Sequence, residues 1–350
     1  MKIEQNVALA ARTTIGVGGA AAHYARVESE AALREALAWA TARGLKVRVL
    51  GGGSNVVIAD AGFAGLVIEM AIRGILIDDQ SDTVVVRAAA GEPWDAFVAE
   101  LVSRNYQGLE CLSGIPGRVG ATPIQNVGAY GQDVSETITS VIAVDTADGS
   151  TRVFTNEQCQ FAYRDSFFKS TEPGRFIVTE VTFRLTPGKA PSLRYGELAS
   201  ELTGPGKPTP SLTDTRNAVL QLRRSKSMVV DENDPNSRSC GSFFLNPVLE
   251  RGEQLSAFFA RAPATDIPTF PQPDGRVKLS AGWLIEFSGL ARGLRDGAVG
   301  LSTKHALAIV AYEGARAEDV ARLARRAQSA VMKRFGVALH TEPVFWGFDD

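Results

Sequence analysis

Residues 239–247 read SCGSFFLNP, the phenylalanines and leucine of a core strand interleaved with Ser239, Cys240, Ser242 and Asn246. A buried polar group left without a partner costs roughly 1–3 kcal/mol, so each of these must be bonded or exposed for a reason. Two readings are open. The stretch is a strand end whose hydroxyls bond to nearby backbone, or it is a site wall where Ser242 presents a proton and Asn246 an amide. Cys240 is expected to face away from Ser242 and not to stand in for it. Other stretches carry chemistry of their own. Gly51, Gly52, Gly53, Ser54 and Asn55 link two strand-like runs. Three glycines allow unusual backbone angles and a close approach of a ligand to the main chain. A strand rather than a helix follows, so a phosphate here would need a nest of consecutive N–H groups. The alternative is a tight hairpin loop.

The run GIPGRVGATPIQNVGAYG (114–131) holds five glycines and two prolines, which excludes a regular helix or a central strand. Ordered loops of that length are usually functional, although a structural Ω-loop is the other possibility. Ser113, Thr122, Gln125 and Asn126 suit hydrogen bonding to a polar planar ring such as an isoalloxazine. In FAYRDSFFK (161–169), Arg164 is placed either to clamp a carboxylate in a fork or to pair with Asp165. Tyr195 in LRYGEL is a lid residue or a packed aromatic. Glu342 in HTEPVFWG is a catalytic acid, a helix cap or a surface charge. The three histidines, His23, His305 and His340, lack ligand spacing, and Cys111, Cys159 and Cys240 form no CxxC, so no metal is expected.

The elements that must position these groups read as α+β in several pieces. HYARV, KVRVL, VVIAD, TVVVRAAAG and FIVTEVTFRLT are strand-like, and residues 138–155 form a hairpin turning at Asp148-Gly149. Helices are expected after Ser29, from Trp94 to about Arg104, around Asp214 to Lys226, and from Val320 to Phe335. Residues 187–212, rich in Pro, Gly and Ser, read as a surface loop or excursion. The 350 residues call for two or three domains. A net charge of −2 gives no general attraction to nucleic acid or anionic membrane. The odd, scattered cysteines and the lack of an apolar leader point to a cytoplasmic protein.

In chain order, ARTTIGVGGAA, RVLGGGSNVVI, GIPGRVGATPIQNVGAYG, YRDSFFK, YGEL, GSFFLNP, KLSAGWLIE and HTEPVFW resemble the UDP-N-acetylenolpyruvoylglucosamine reductases of peptidoglycan synthesis, the MurB family. The resemblance runs from about Arg12 to Gly347. It implies an FAD-binding fold of the vanillyl-alcohol-oxidase type, with two α+β subdomains around non-covalent FAD (residues 1–72 completed by 318–350, and 73–224). A smaller substrate-binding domain follows at 225–317. By resemblance, Gly51 to Asn55 hold the FAD pyrophosphate. Ser113, Gly114, Ile115, Pro116, Gly117, Gly120, Ala121, Thr122, Gln125, Asn126, Gly128 and Ala129 hold its ring side. Arg164, Ser242 and Glu342 fall on catalytic positions. Tyr163, Tyr195, Lys226, Asn246 and His305 fall on the substrate side, His305 where members often have glutamine. Val344 stands where some members carry arginine.

The implied reaction reduces an enolpyruvyl ether in two halves, hydride passing from NADPH to FAD and then to the substrate's terminal carbon. Arg164 and a protonated Glu342 would stabilise the enolate-like charge, and Ser242 would give the proton. The substrates are small molecules and the chain is expected to act as a monomer. The rival reading is an FAD oxidase of the same fold. Such enzymes often tether the flavin through His or Cys, for which Cys111 is the only nearby candidate.

Overall fold

The computed structural model describes residues 1–263 and 266–348, so the last two positions of the 318–350 segment lie outside the described residues. The chain forms two compact units. One comprises Met1–Val7, Ala21–Gly53 and Ala64–Val229, and the other Ala8–Ala20, Ser54–Phe63 and Val230–Asp350.

Beside a small pair of strands, Gly128–Ala129 and Gln132–Asp133, two large sheets carry the first unit. The smaller has the order Glu4–Ala8, Ala20–Val27, Phe63–Met70, Val47–Leu50, and its last two strands are parallel. Strand Phe63–Met70 escapes a search for alternation because six of its eight residues are buried. A strand covered on both faces reads as a continuous apolar run. Ser29 accepts the Ala32 N–H at 3.1 Å and starts the helix Glu30–Thr41, whose Leu33, Ala36, Leu37 and Ala40 are buried.

The larger sheet is antiparallel. Its order is Thr151–Thr155, Ile138–Asp145, Phe176–Pro187, Thr83–Ala89, Ile75–Gln80, with Tyr106–Gln107 paired to the end of Phe176–Pro187. Helix Trp94–Ser103 covers it, and Trp94, Phe97 and Phe183 meet with centroids 5.3–6.1 Å apart. Burying each such ring contributes about 1.5–3 kcal/mol, so the helix start is a fixed point. The excursion at 187–212 is not all loop: Gly196–Leu202 is a helix with Leu198 buried. The Pro and Gly around it concealed about two turns of helix.

In the second unit, helix Ala317–Phe335 buries Val320, Leu323, Ala327, Val331 and Phe335 and ends at Gly336, φ 71°. These side chains share a core with Phe243, Phe244, Phe258, Leu284, Leu301 and Ile309. Val56–Ile58 runs parallel to Val344–Trp346. Two further three-stranded sheets have the orders Val248–Leu249, Val277–Leu279, Thr269–Pro271 and Arg295–Asp296, Val299–Leu301, Ile309–Ala311. Among the described residues no helix is long and apolar enough to cross a membrane.

Candidate active site

The GGGSN loop is not a hairpin. The strand before it pairs with Phe63–Met70 and the strand after it pairs with Val344–Trp346, so the two do not pair with each other. Gly53 takes φ 64°. A Cβ on Gly52 would lie 2.6 Å from the Gly117 Cα, so backbone rests on backbone there and only glycine can occupy the position. Among the described residues, the N–H groups of Gly51, Gly52 and Gly53 donate to no protein acceptor, although Gly53 is buried. Consecutive unsatisfied donors in a buried turn form an anion-binding nest, and they fit a dinucleotide's pyrophosphate. Asn55 looks the other way. Its Nδ2 donates to the Glu342 carbonyl at 3.3 Å and its own carbonyl accepts from Val344 N–H at 3.1 Å.

Residues 114–131 are fastened to the start of helix Trp94–Ser103. Gly114 N–H donates to Asp95 Oδ1 at 2.6 Å, Trp94 N–H to the Gly117 carbonyl at 3.1 Å, and Gly120 N–H to the Ala90 carbonyl at 2.9 Å. Arg216 grips Asp95 in a fork at 2.6 and 2.9 Å. Burial would raise the Asp95 carboxyl, but the Arg216 fork and the Gly114 N–H together hold it below its ordinary value. Of the four polar side chains expected to face a ring, three shape the loop. Ser113 Oγ donates to the Glu110 carbonyl at 2.7 Å, Thr122 Oγ1 to the Val119 carbonyl at 2.8 Å, and Asn126 Nδ2 to the Ala162 carbonyl at 2.8 Å. Cys111 is fully buried, with its thiol pushed up to about 12 by burial and then by Glu110. It therefore offers no thiolate for a covalent tether.

Arg164 is the most heavily braced of the expected residues. Its backbone is left-handed, φ 54°, at the tip of a turn in which Ala162 and Asp165 exchange backbone hydrogen bonds at 3.0 and 3.1 Å. The guanidinium donates to the Asn126 carbonyl at 3.4 Å and to the Gly128 carbonyl, and Asp133 lies 3.5 Å away. Lys169 Nζ holds the Arg164 carbonyl at 2.7 Å, and Ser166 Oγ donates to the Ile124 carbonyl at 2.8 Å. The alternative pairing with Asp165 is not made: that carboxylate accepts from Ser166 N–H and Ser170 Oγ at 2.8 and 2.6 Å. Tyr163 stacks its ring 5.3 Å from the Arg164 guanidinium carbon. The motif is thus a strained turn locked under the 122–131 loop. Asp133, four residues past Ala129, is a partner that sequence reasoning missed, since nothing local marks it.

Tyr195 caps the helix Gly196–Leu202 and meets Tyr130 edge-on at 5.2 Å. Lys226 Nζ donates to Glu197 Oε2 at 2.8 Å. Glu197 was also missed, though it lies within the quoted YGEL.

In the second unit, 239–247 runs beside 340–342. Glu342 N–H donates to the Phe243 carbonyl and Leu245 N–H to the His340 carbonyl, both at 2.9 Å, which brings Ser242 and Glu342 onto adjacent chains. Phe243 and Phe244 are buried, their ring centroids 5.4 Å apart. The polar groups of the stretch now separate. Ser239 Oγ accepts from Gly241 N–H at 3.2 Å, Cys240 Sγ faces the Val56 carbonyl at 3.7 Å, and Asn246 Oδ1 accepts from Ala281 N–H at 2.9 Å. Among the described residues, the half-buried Ser242 hydroxyl bonds to nothing. Gly241 takes φ 70° and the chain is not extended across it, so the alternation of a straight strand does not apply between Cys240 and Ser242. His305 uses Nδ1 to accept from Leu307 N–H at 3.0 Å, with Cε1 3.8 Å from where a Gly282 Cβ would stand. Among the described residues no group of three or more His, Cys, Asp or Glu is placed to hold a metal.

The family described as UDP-N-acetylenolpyruvoylglucosamine reductase, C-terminal domain, matches residues 234–346, and the FAD binding domain matches residues 11–155. A UDP-N-acetylenolpyruvoylglucosamine reductase of Thermobifida fusca is 47% identical over 351 residues, covering 98% of each chain. One from Pseudomonas aeruginosa is 40% identical over 347 residues, again covering 98% of each. The crystal structure of UDP-N-acetylenolpyruvylglucosamine reductase (MurB) from Thermus caldophilus has TM-score 0.67 at 27% identity, covering 99% of both chains.

Proposed function

The chain belongs to the UDP-N-acetylenolpyruvoylglucosamine reductases, and from that premise we propose how its own residues divide the reaction between them. The enzyme is an FAD-containing oxidoreductase that uses NADPH to reduce UDP-N-acetylglucosamine enolpyruvate to UDP-N-acetylmuramate for the cell wall. Bound FAD supplies the relay that accepts hydride from NADPH and passes it to the enolpyruvyl carbon. Residues 51–55 would hold its pyrophosphate through main-chain donors, and 113–129 its ring side. The finer division into 1–72 with 318–350, 73–224 and 225–317 is proposed on the same grounds, as are a monomeric state and a cytoplasmic location.

Reduction of the enol ether's terminal carbon leaves negative charge on the neighbouring carbon and its carboxylate. Arg164 stabilises that charge, since its fixed guanidinium needs no reorganisation when the charge appears. Glu342 assists in its protonated form by donating a hydrogen bond. Ser242 then delivers the proton, and the buried Phe243 and Phe244 shield it from water. Tyr163, Tyr195, Lys226, Asn246 and His305 contact the nucleotide sugar, with Lys226 on the diphosphate. The observation carrying this reading is the half-buried Ser242 hydroxyl, which bonds to nothing among the described residues and lies on the segment that pairs with the one carrying Glu342.

The test is an anaerobic cycle. NADPH should bleach the yellow protein, and the enolpyruvyl nucleotide should restore the colour stoichiometrically with no oxygen present. Recovery of colour only on admitting oxygen would instead mark an oxidase.

A further inference from the structure

The segment that carries Tyr195 is docked, and the contact at its charged end gives Glu197 a role. Helix Gly196–Leu202 rests on helix Leu212–Ser225 through an apolar cluster of Cys111, Leu198, Ala218 and Val219. Tyr195 lies edge-on against Tyr130, and Gly131 leaves the room that the Arg194–Tyr195 main chain occupies, 3.4–3.5 Å from where a Cβ would be. In this docked arrangement Glu197 Oε2 already occupies Lys226 Nζ at 2.8 Å. Burial alone would lower the Lys226 ammonium, and the Glu197 carboxylate more than reverses that.

A carboxylate and a diphosphate present the same feature to an ammonium, a compact anionic oxygen at about 2.7–2.9 Å. We propose that Glu197 is an internal competitor for the nucleotide sugar's diphosphate, so that substrate binds by displacing Glu197 from Lys226. The inference rests on the reading of Lys226 as a diphosphate contact. Both side chains are partly open to water, Lys226 at 31% and Glu197 at 45% exposure, so the pair exchanges readily and a doubly charged diphosphate outcompetes it. The apparent affinity for the nucleotide falls by the fraction of time that Lys226 is occupied. After reduction, the return of Glu197 to Lys226 helps the product leave.

The measurement is calorimetric titration of the FAD-loaded protein with UDP, alongside steady-state kinetics. Glu197→Gln keeps the shape and removes the charge. It should tighten UDP by about 2–5-fold, the range that a partly exposed ion pair can withhold. KM for the enolpyruvyl nucleotide should fall by a similar factor with kcat nearly constant, and Glu197→Asp should behave like the unaltered enzyme. In a Lys226→Ala background UDP should bind more weakly, and Glu197→Gln should add nothing. If Lys226→Ala leaves UDP affinity unchanged, the diphosphate assignment fails and the competitor with it. If Lys226→Ala weakens UDP but Glu197→Gln leaves affinity unchanged or lowers it, the competitor alone is overturned.

Discussion

Arg164 sits on a left-handed backbone with its guanidinium against two carbonyls and the Asp133 carboxylate. Ser242 sits on the far side of a glycine kink from Cys240, with a hydroxyl that bonds to nothing among the described residues. The contrast follows from what each is asked to do. A group that stabilises developing charge is most effective when it is already in place, and the strain of a left-handed non-glycine residue, about 1–3 kcal/mol, is worth holding for that. A group that gives away a proton must not have that proton committed to the protein. Bracing marks the first kind of residue, and an idle hydroxyl among satisfied neighbours marks the second.

The largest effect on the braced side is expected for Arg164→Ala. Flavin reduction by NADPH should stay within a few-fold of normal, while reoxidation by the enolpyruvyl nucleotide slows by roughly 10²–10³, the usual result of losing one anion-stabilising donor. Rapid-mixing absorbance of the two half-reactions separates these; equal slowing of both would mean that Arg164 only holds the 122–131 loop. Next in size is Tyr195→Ala, which should raise KM for the nucleotide sugar by about tenfold through loss of the docked segment, and slow NADPH-driven reduction much less. Equal damage to both halves would remove the lid role. The smallest effect belongs to Asn55→Ala. It deletes the 3.3 Å hydrogen bond to the Glu342 carbonyl, so reoxidation should slow several-fold, in line with about 1 kcal/mol for one hydrogen bond. An unchanged rate would mean that the Glu342 segment is held well enough by its hydrogen bond to Phe243.

Much of this was legible in the sequence because local chemistry decided it. Ser29 as a helix cap, Asp148-Gly149 as a hairpin turn and Gly336 as a helix stop depend on neighbours within a few residues. The run 114–131 was read less well: it holds a one-turn helix, Thr122–Gln125, with proline in its first turn, and a two-residue strand, Gly128–Ala129. What stayed hidden was decided at a distance. Asp133 beside Arg164 and Asp95 beneath Gly114 become partners only when the loops close. GGGSN could be read as a hairpin because the pairing of its flanking strands with Phe63–Met70 and Val344–Trp346 leaves no local trace. Ser113, Thr122 and Asn126 had the right chemistry for a planar ligand, yet much of that capacity goes into holding their own loop. The ambiguity of SCGSFFLNP was real at the level of sequence, since a satisfied and an idle hydroxyl are spelled with the same letter.

The claim that Ser242 is held free for proton transfer is tested most directly on one Ser242→Ala sample, by measuring its unfolding free energy and both flavin half-reactions. Because the hydroxyl bonds to nothing among the described residues, stability should change by about 1 kcal/mol or less. NADPH should bleach the flavin at close to the normal rate, and reoxidation by the enolpyruvyl nucleotide should slow by roughly 10²–10⁴. Reoxidation at the normal rate by a stably folded Ser242→Ala enzyme would contradict the account.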